Sequence, residues 1–177
     1  MRNPITAFGL VRSPCVDMKL QQIGVIHSPH KQAADAPVQA SLAAGIEGTV
    51  EVFPQFSAGL KDVEGFERIW LVYWFHQASE AQLIVTPYLD TAPHGLFATR
   101  APCRPNPIGL SCVRLAEIRG NMLLVDGLDV LDNTPLLDVK PYVPAFDAFQ
   151  AKRIGWCANI SSDSSVADGR FEAGRNP

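Results

Sequence analysis

The chain has 177 residues, 47% of them hydrophobic and 19% charged, with a formal net charge of −3 and a pI of about 5.8. That length suits one domain with a core of its own, and the acidic balance excludes broad, non-specific nucleic-acid binding while allowing a local basic patch. No apolar run reaches about 18 residues and no long apolar core follows a basic start, so no membrane span or secretory leader is expected, and the cytoplasm is the expected compartment.

Residues 1–19 lack periodicity and read as a loose arm ahead of a domain over 20–158. Leu20–His27 reads as a strand, and Gly48–Phe53 alternates polar and apolar residues as another. Ser57–Gly65 has the pattern of a short helix closed by Gly65. Arg68–Phe75 is dense in β-branched and aromatic residues, which predicts a central strand. Leu83–Val85, Leu110–Ile118, Leu123–Val125 and Leu136–Val139 supply further strands, with Arg119–Asn121 as a short hairpin loop. Short strands punctuated by Gly and Pro, without long intervening helices, predict a mainly β fold: a single antiparallel β-barrel with short helices, not Rossmann-like. No Gly-x-Gly-x-x-Gly follows a strand. From Ser161 the sequence turns polar, and residues 159–177 read as a disordered tail.

Cys15, Cys103, Cys112 and Cys157 show no Cys-x-x-Cys spacing and read as reduced thiols, Cys103 in a structural rather than a nucleophilic role. His27, His30 and His94 have no metal-ligand spacing, so no metal is expected. The most informative stretch is Gly95–Ser111 (GLFATRAPCRPNPIGLS), where Pro102, Pro105 and Pro107 restrict the backbone around Arg100, Arg104 and Asn106. A stiff polar loop of this kind serves either as a crossover between strands or as a binding site. The planar forks of the two arginines suit a carboxylate or a phosphate; on a plain crossover they would be solvated.

That stretch resembles the signature of the TsaA-like family, also called TrmO-like, of tRNA adenine-N6-methyltransferases. Ile23–Pro29 (IGVIHSP), Gly65–His76 (GFERIWLVYWFH) and Leu131–Tyr142 (LDNTPLLDVKPY) resemble its other blocks, in the family's order. The resemblance covers roughly 23–147, and the chain has the length of a short form without the extra C-terminal domain of longer bacterial relatives. It implies a β-barrel working as a homodimer, S-adenosyl-L-methionine as cofactor, and a tRNA anticodon loop as partner, with methylation at N6 of threonylcarbamoyladenosine.

The resemblance also implies residue roles. Val38, Gln39, Ala40, His76, Gln77, Arg100, Leu110, Asp129, Asp132 and Thr134 fall at cofactor-binding positions, and Arg104, Lys140 and Tyr142 at substrate-binding ones. Asn106 and Pro107 occupy the catalytic place: Asn-Pro-Ile is analogous to loops of unrelated adenine-N6 methyltransferases whose carbonyls accept hydrogen bonds from the target amine. Read as bare residues, Asn106 is equally a turn former, Asp132 a cap, and Tyr142 and Phe146 either core or stacking surfaces for an unpaired base. Lys31, Arg100, Arg104 and Lys140 would make a basic strip if two barrels juxtaposed them. Two other functions stay open from sequence: a methyltransferase of this architecture on another RNA or a small molecule, and a non-catalytic S-adenosylmethionine-binding module.

Overall fold

The computed structural model describes residues 19–160 and 167–173. The expected arm, over 1–18, lies outside the described residues.

Six strands close into a barrel: β1 (Gly24–His27), β2 (Glu47–Val52), β3 (Arg68–Trp74), β6 (Ile108–Arg119), β7 (Met122–Asp126) and β8 (Thr134–Pro141). Their order around the barrel is β1-β2-β7-β6-β3-β8, with β8 pairing back to β1 and every pair antiparallel. Closure removes free sheet edges, so short strands suffice. The period-2 alternation sets the interior. Ile26, Val50, Ile69, Leu71, Val113, Leu123 and Leu136 are fully buried, while Trp70, Val72 and Trp74 take the alternate phase of β3. Each buried aliphatic side chain of this kind contributes roughly 1.5–3 kcal/mol.

Three hydroxyl-bearing residues sit in the buried phase, Tyr73 on β3, Ser111 on β6 and Thr134 on β8. Between β6 and β7, Gly120 at φ 63° makes the predicted hairpin, its missing Cβ permitting the left-handed backbone.

Three sequence expectations shift. The segment expected to be one helix over Ser57–Gly65 forms two 3-10 stretches, Pro54–Leu60 and Val63–Gly65, interrupted by Asp62 in the left-handed region at φ 68°. The expected strand at Leu83–Val85 is a two-residue β4 (Ile84–Val85), pairing with β5 (His94–Gly95) outside the barrel. The polar C-terminal segment is not wholly tail: Gly169–Phe171 forms a 3-10 turn and Phe171 is buried. Its apolar ring has a place to go, a second cluster of Val85, Leu96, Ala101 and Cys103 that lies outside the barrel core. The rest of the expected tail, 161–166 and 174–177, falls outside the described residues. Among the described residues no helix is long and apolar enough to cross a membrane.

Candidate functional site

The second cluster carries the proline-rich loop. Leu96, Ala101 and Cys103 anchor it from below, and its polar groups bond within it. Thr99 Oγ1 donates to the Leu96 carbonyl at 2.8 Å and accepts from Ala101 N at 3.3 Å. Arg104 Nη1 donates to the Thr99 carbonyl at 3.1 Å, and its guanidinium lies 5.8 Å from the Phe97 ring centre. The loop is held open by its own side chains as well as by its prolines. Burial pushes the Cys103 thiol above its ordinary range, in keeping with the structural role expected of it.

Between this loop and one end of the barrel lies a cavity of about 330 Å³, within the usual range of small-molecule sites. Its floor is Tyr73, whose ring lies against Gly109, its direct partner across β3 and β6; a Cβ there would stand 2.1 Å from the ring. The Tyr73 hydroxyl and Ser111 Oγ are 2.9 Å apart, and Ser111 Oγ donates to Asp129 Oδ1 at 2.5 Å. Because the serine proton goes to the carboxylate, the phenol is the donor in the first bond. Burial raises the phenol's pKa well above its usual range, so it stays protonated and donating.

Two carboxyl groups line the cavity, Glu172, which accepts from the Ala33 amide, and Asp129. Burial pushes the Asp129 pKa up, while the Ser111 hydroxyl, the Ala40 N–H and the Arg100 charge pull in the other direction. Arg100 lines the cavity too and donates to Gln39 Oε1 at 2.8 Å, joining the proline-rich loop to the Val38–Ala40 segment. A carboxyl group and a guanidinium therefore share one apolar hollow. On the far wall, Thr134 Oγ1 donates to the Leu131 carbonyl at 2.7 Å, so the 3.4 Å contact from His76 Nδ1 makes the histidine the donor. His76 Nε2 is then left to accept from Gln77 Nε2 at 3.3 Å. Burial lowers the His76 pKa, against the pull of Asp132, which favours this neutral ring.

Of the residues expected around a ligand, Val38, Gln39, His76, Gln77, Arg100, Leu110, Asp129 and Thr134 line this one cavity, as does Arg104. Ala40 stands behind the wall with its N–H on Asp129.

Other expected residues are placed elsewhere. Asp132 lies outside the lining: its Oδ2 takes Lys31 Nζ at 2.5 Å and Asn133 Nδ2 at 2.8 Å, while its Oδ1 caps Ser28 N at 3.0 Å. That is the capping role, and the lysine holds its carboxyl below the usual range. Lys140 pairs with Asp138 at 2.7 Å and Tyr142 packs edge-on against Trp70. Lys140 lies at the opposite end of β8 from Thr134, about 20 Å along the strand, and Tyr142 just beyond that end, about 26 Å from Thr134. Phe146 is exposed. Asn106 and Pro107 are also outside the lining, though flanked by Arg104 and Ile108, which belong to it. The Pro107 carbonyl accepts Phe75 N–H at 2.7 Å and so ties the loop to the end of β3.

Sequence reasoning missed Tyr73 and Ser111. The available signal was two hydroxyl groups in the inward phase of otherwise apolar strands. It also missed Tyr88, Phe171 and Glu172 in the wall, for which sequence carries no periodic signal. Among the described residues, no group of three or more His, Cys, Asp or Glu is arranged to hold a metal ion.

Residues 25–148 match the family described as the tRNA-methyltransferase O N-terminal domain. The chain belongs to this family. It is 57% identical over 151 residues to a probable S-adenosyl-L-methionine-binding protein of Pyrococcus abyssi, covering 84% of this chain and 82% of that one. It is also 36% identical over 136 residues to the tRNA (adenine(37)-N6)-methyltransferase of Escherichia coli, covering 71% and 58%. A crystal structure of TrmO from Pseudomonas aeruginosa aligns with a TM-score of 0.67 at 38% identity, covering 80% of this chain and 62% of that one. The chain thus spans less than two thirds of the length of that structure and of the Escherichia coli enzyme.

Proposed function

We propose that this chain is an S-adenosylmethionine-dependent methyltransferase acting on N6 of an adenine in tRNA, with threonylcarbamoyladenosine beside the anticodon as the specific target. Family membership supports the class of reaction. The observation that carries the site is the pair Asp129 and Arg100 facing one apolar cavity. S-Adenosylmethionine has a sulfonium and an ammonium to meet the carboxylate and a carboxylate to meet the guanidinium, beside an adenosine suited to the apolar wall. The residues present fit it.

When bound, this cofactor supplies an electrophilic methyl group. The chain's own work is to place and dry that group. Tyr73 and Ser111 fix the Asp129 rotamer, so its charge is aimed before any ligand arrives. Arg104 holds the loop carbonyls in place, and neutral His76 adds no competing positive charge to the wall. A base crossing the rim meets Asn106, which is exposed, and orientation of the amine there is mainly a positioning task. The Pro107 carbonyl accepts Phe75 N–H and keeps one lone pair, so the exposed Asn106 side chain is the less committed acceptor of the pair for the amine. The tRNA strip needs a second copy of the chain, because Lys31 and Lys140 each face an aspartate of their own subunit. A homodimer bringing Arg100 and Arg104 of two subunits together would supply the missing positive charge.

Calorimetry with S-adenosylmethionine in EDTA tests the site. Saturable binding at one site per chain is expected. Arg100→Ala should weaken it about tenfold, the loss of one charge-assisted hydrogen bond, at an unchanged melting temperature because the side chain is exposed. Binding that disappears in EDTA and returns with zinc or magnesium would contradict this reading.

A further inference from the structure

The family match ends at residue 148, yet the cavity does not. Ala167, Phe171 and Glu172 belong to its wall. The segment 167–173 touches three stretches of chain, all far from it in sequence. On one side, Ala167 N donates to the Ala36 carbonyl at 3.0 Å, and Glu172 Oε1 accepts from Ala33 N at 2.8 Å. On another, Ser79 N donates to the Phe171 carbonyl at 2.8 Å and Ala173 N to the Gln77 carbonyl at 3.0 Å, with Ala78 and Glu172 in an antiparallel bridge. On the third, Arg170 Nη1 donates to the Pro87 carbonyl at 3.2 Å, and the Phe171 ring meets Tyr88 edge-on at 5.1 Å.

The first stretch leads directly into Val38 and Gln39, and the second contains Gln77 beside His76. These are opposed walls of the cavity. Apart from this segment, among the described residues, Arg100 and Asp129 reach the first wall only at Gln39 and Ala40, and Thr134 reaches the second only at His76. Backbone bonds of this sort are worth about 0.5–1.5 kcal/mol apiece, and several acting together hold a wall in place.

We propose that residues 167–173 form a strap that completes the methyl-donor site and sets its affinity, by clamping Ala33–Ala36 to Gln77–Ser79 and closing the side between them with Phe171. The inference rests on S-adenosylmethionine being the ligand of the cavity. Glu172 and Phe171 are positioning residues: the first holds the Ala33 amide, and the second plugs the apolar cluster under the proline-rich loop. Because that cluster is separate from the barrel interior, removing Phe171 leaves the barrel core intact.

The test uses the full chain with Glu172→Ala and Phe171→Ala. It reads S-adenosylmethionine affinity by calorimetry and exchange of the Ala33, Ser79 and Ala173 amides by hydrogen–deuterium measurement. In the parent these amides should be protected and become slower still on adding the ligand. Each variant should bind about tenfold more weakly, with faster exchange at those amides and unchanged protection in β3 and β6. Parental affinity in both variants would overturn the proposal, as would unprotected amides in the parent. If the parent binds no S-adenosylmethionine while the variants still deprotect these amides, the strap stands as a cavity wall and the identity of the ligand is what fails.

Discussion

Asp129→Asn is expected to stabilise the ligand-free protein at neutral pH and to weaken S-adenosylmethionine binding by roughly a hundredfold, the scale of a lost buried charge pair. Asparagine keeps the shape and still accepts from Ser111. It removes only the charge. Burial raises the carboxyl pKa in the folded chain above its ordinary value of 3.8, so folding favours the protonated form. Stability from this group is therefore fully present below the ordinary value and is lost as pH rises through the folded one. The variant has no such loss. Its advantage in melting temperature should be smallest at and below the ordinary carboxyl value and grow as pH rises through the raised one, each 1 kcal/mol corresponding to about 2–4 °C in a chain of this size. Thermal scans across that range beside calorimetry check both halves. A variant that is less stable at pH 8 and binds as the parent does would remove Asp129 from the site.

Gly109→Ala should lower stability by about 1–3 kcal/mol, the usual cost of overpacking, and abolish ligand binding. The added Cβ would stand 2.1 Å from Tyr73 Cε2 and 2.4 Å from Cζ. The ring has nowhere to retreat: its hydroxyl is bonded to Ser111, and Phe75 packs edge-on against it at 5.3 Å. Movement away from Gly109 would break the Tyr73–Ser111–Asp129 chain or push the ring into the cavity. Tyr73→Ala in the Gly109→Ala background should then cost less than it does alone, since the clash has gone. A double-mutant cycle on denaturation midpoints measures that coupling. Additive effects would mean that the ring and the glycine do not press on each other.

The barrel was legible because its cause is local. The β-branched and aromatic density of Arg68–Phe75 predicts β3 almost to its ends, and the Gly120 turn predicts the hairpin between Leu110–Ile118 and Leu123–Val125, although β6 runs further, over Ile108–Arg119. Strand order was not legible, because β8 pairing with both β1 and β3 depends on contacts far apart in sequence. The residues that line the cavity were legible chiefly through resemblance, and best where the wall follows a motif, as at Arg100, His76 and Thr134. Asp132 shows the limit. It lies in a matching block, but its carboxylate is taken up by Lys31 and the Ser28 amide and stands outside the cavity lining. Lys140 and Tyr142 share that block and end up at the other end of the barrel, since an extended strand carries residues six to eight apart out of one site. Phe171 was missed for the opposite reason: a single aromatic in a polar segment has no period, and only the fold shows the cluster it fills.

The account is tested most directly by supplying the purified chain with tRNA and S-adenosylmethionine carrying an isotopically labelled methyl group, then digesting the tRNA and resolving its nucleosides by mass spectrometry. The expected result is label on a single adenosine derivative, at N6 of threonylcarbamoyladenosine, lost in Asp129→Asn and reduced in Arg100→Ala. No labelled nucleoside under conditions where calorimetry shows the cavity saturated would contradict the account and leave a protein that binds the methyl donor without transferring from it.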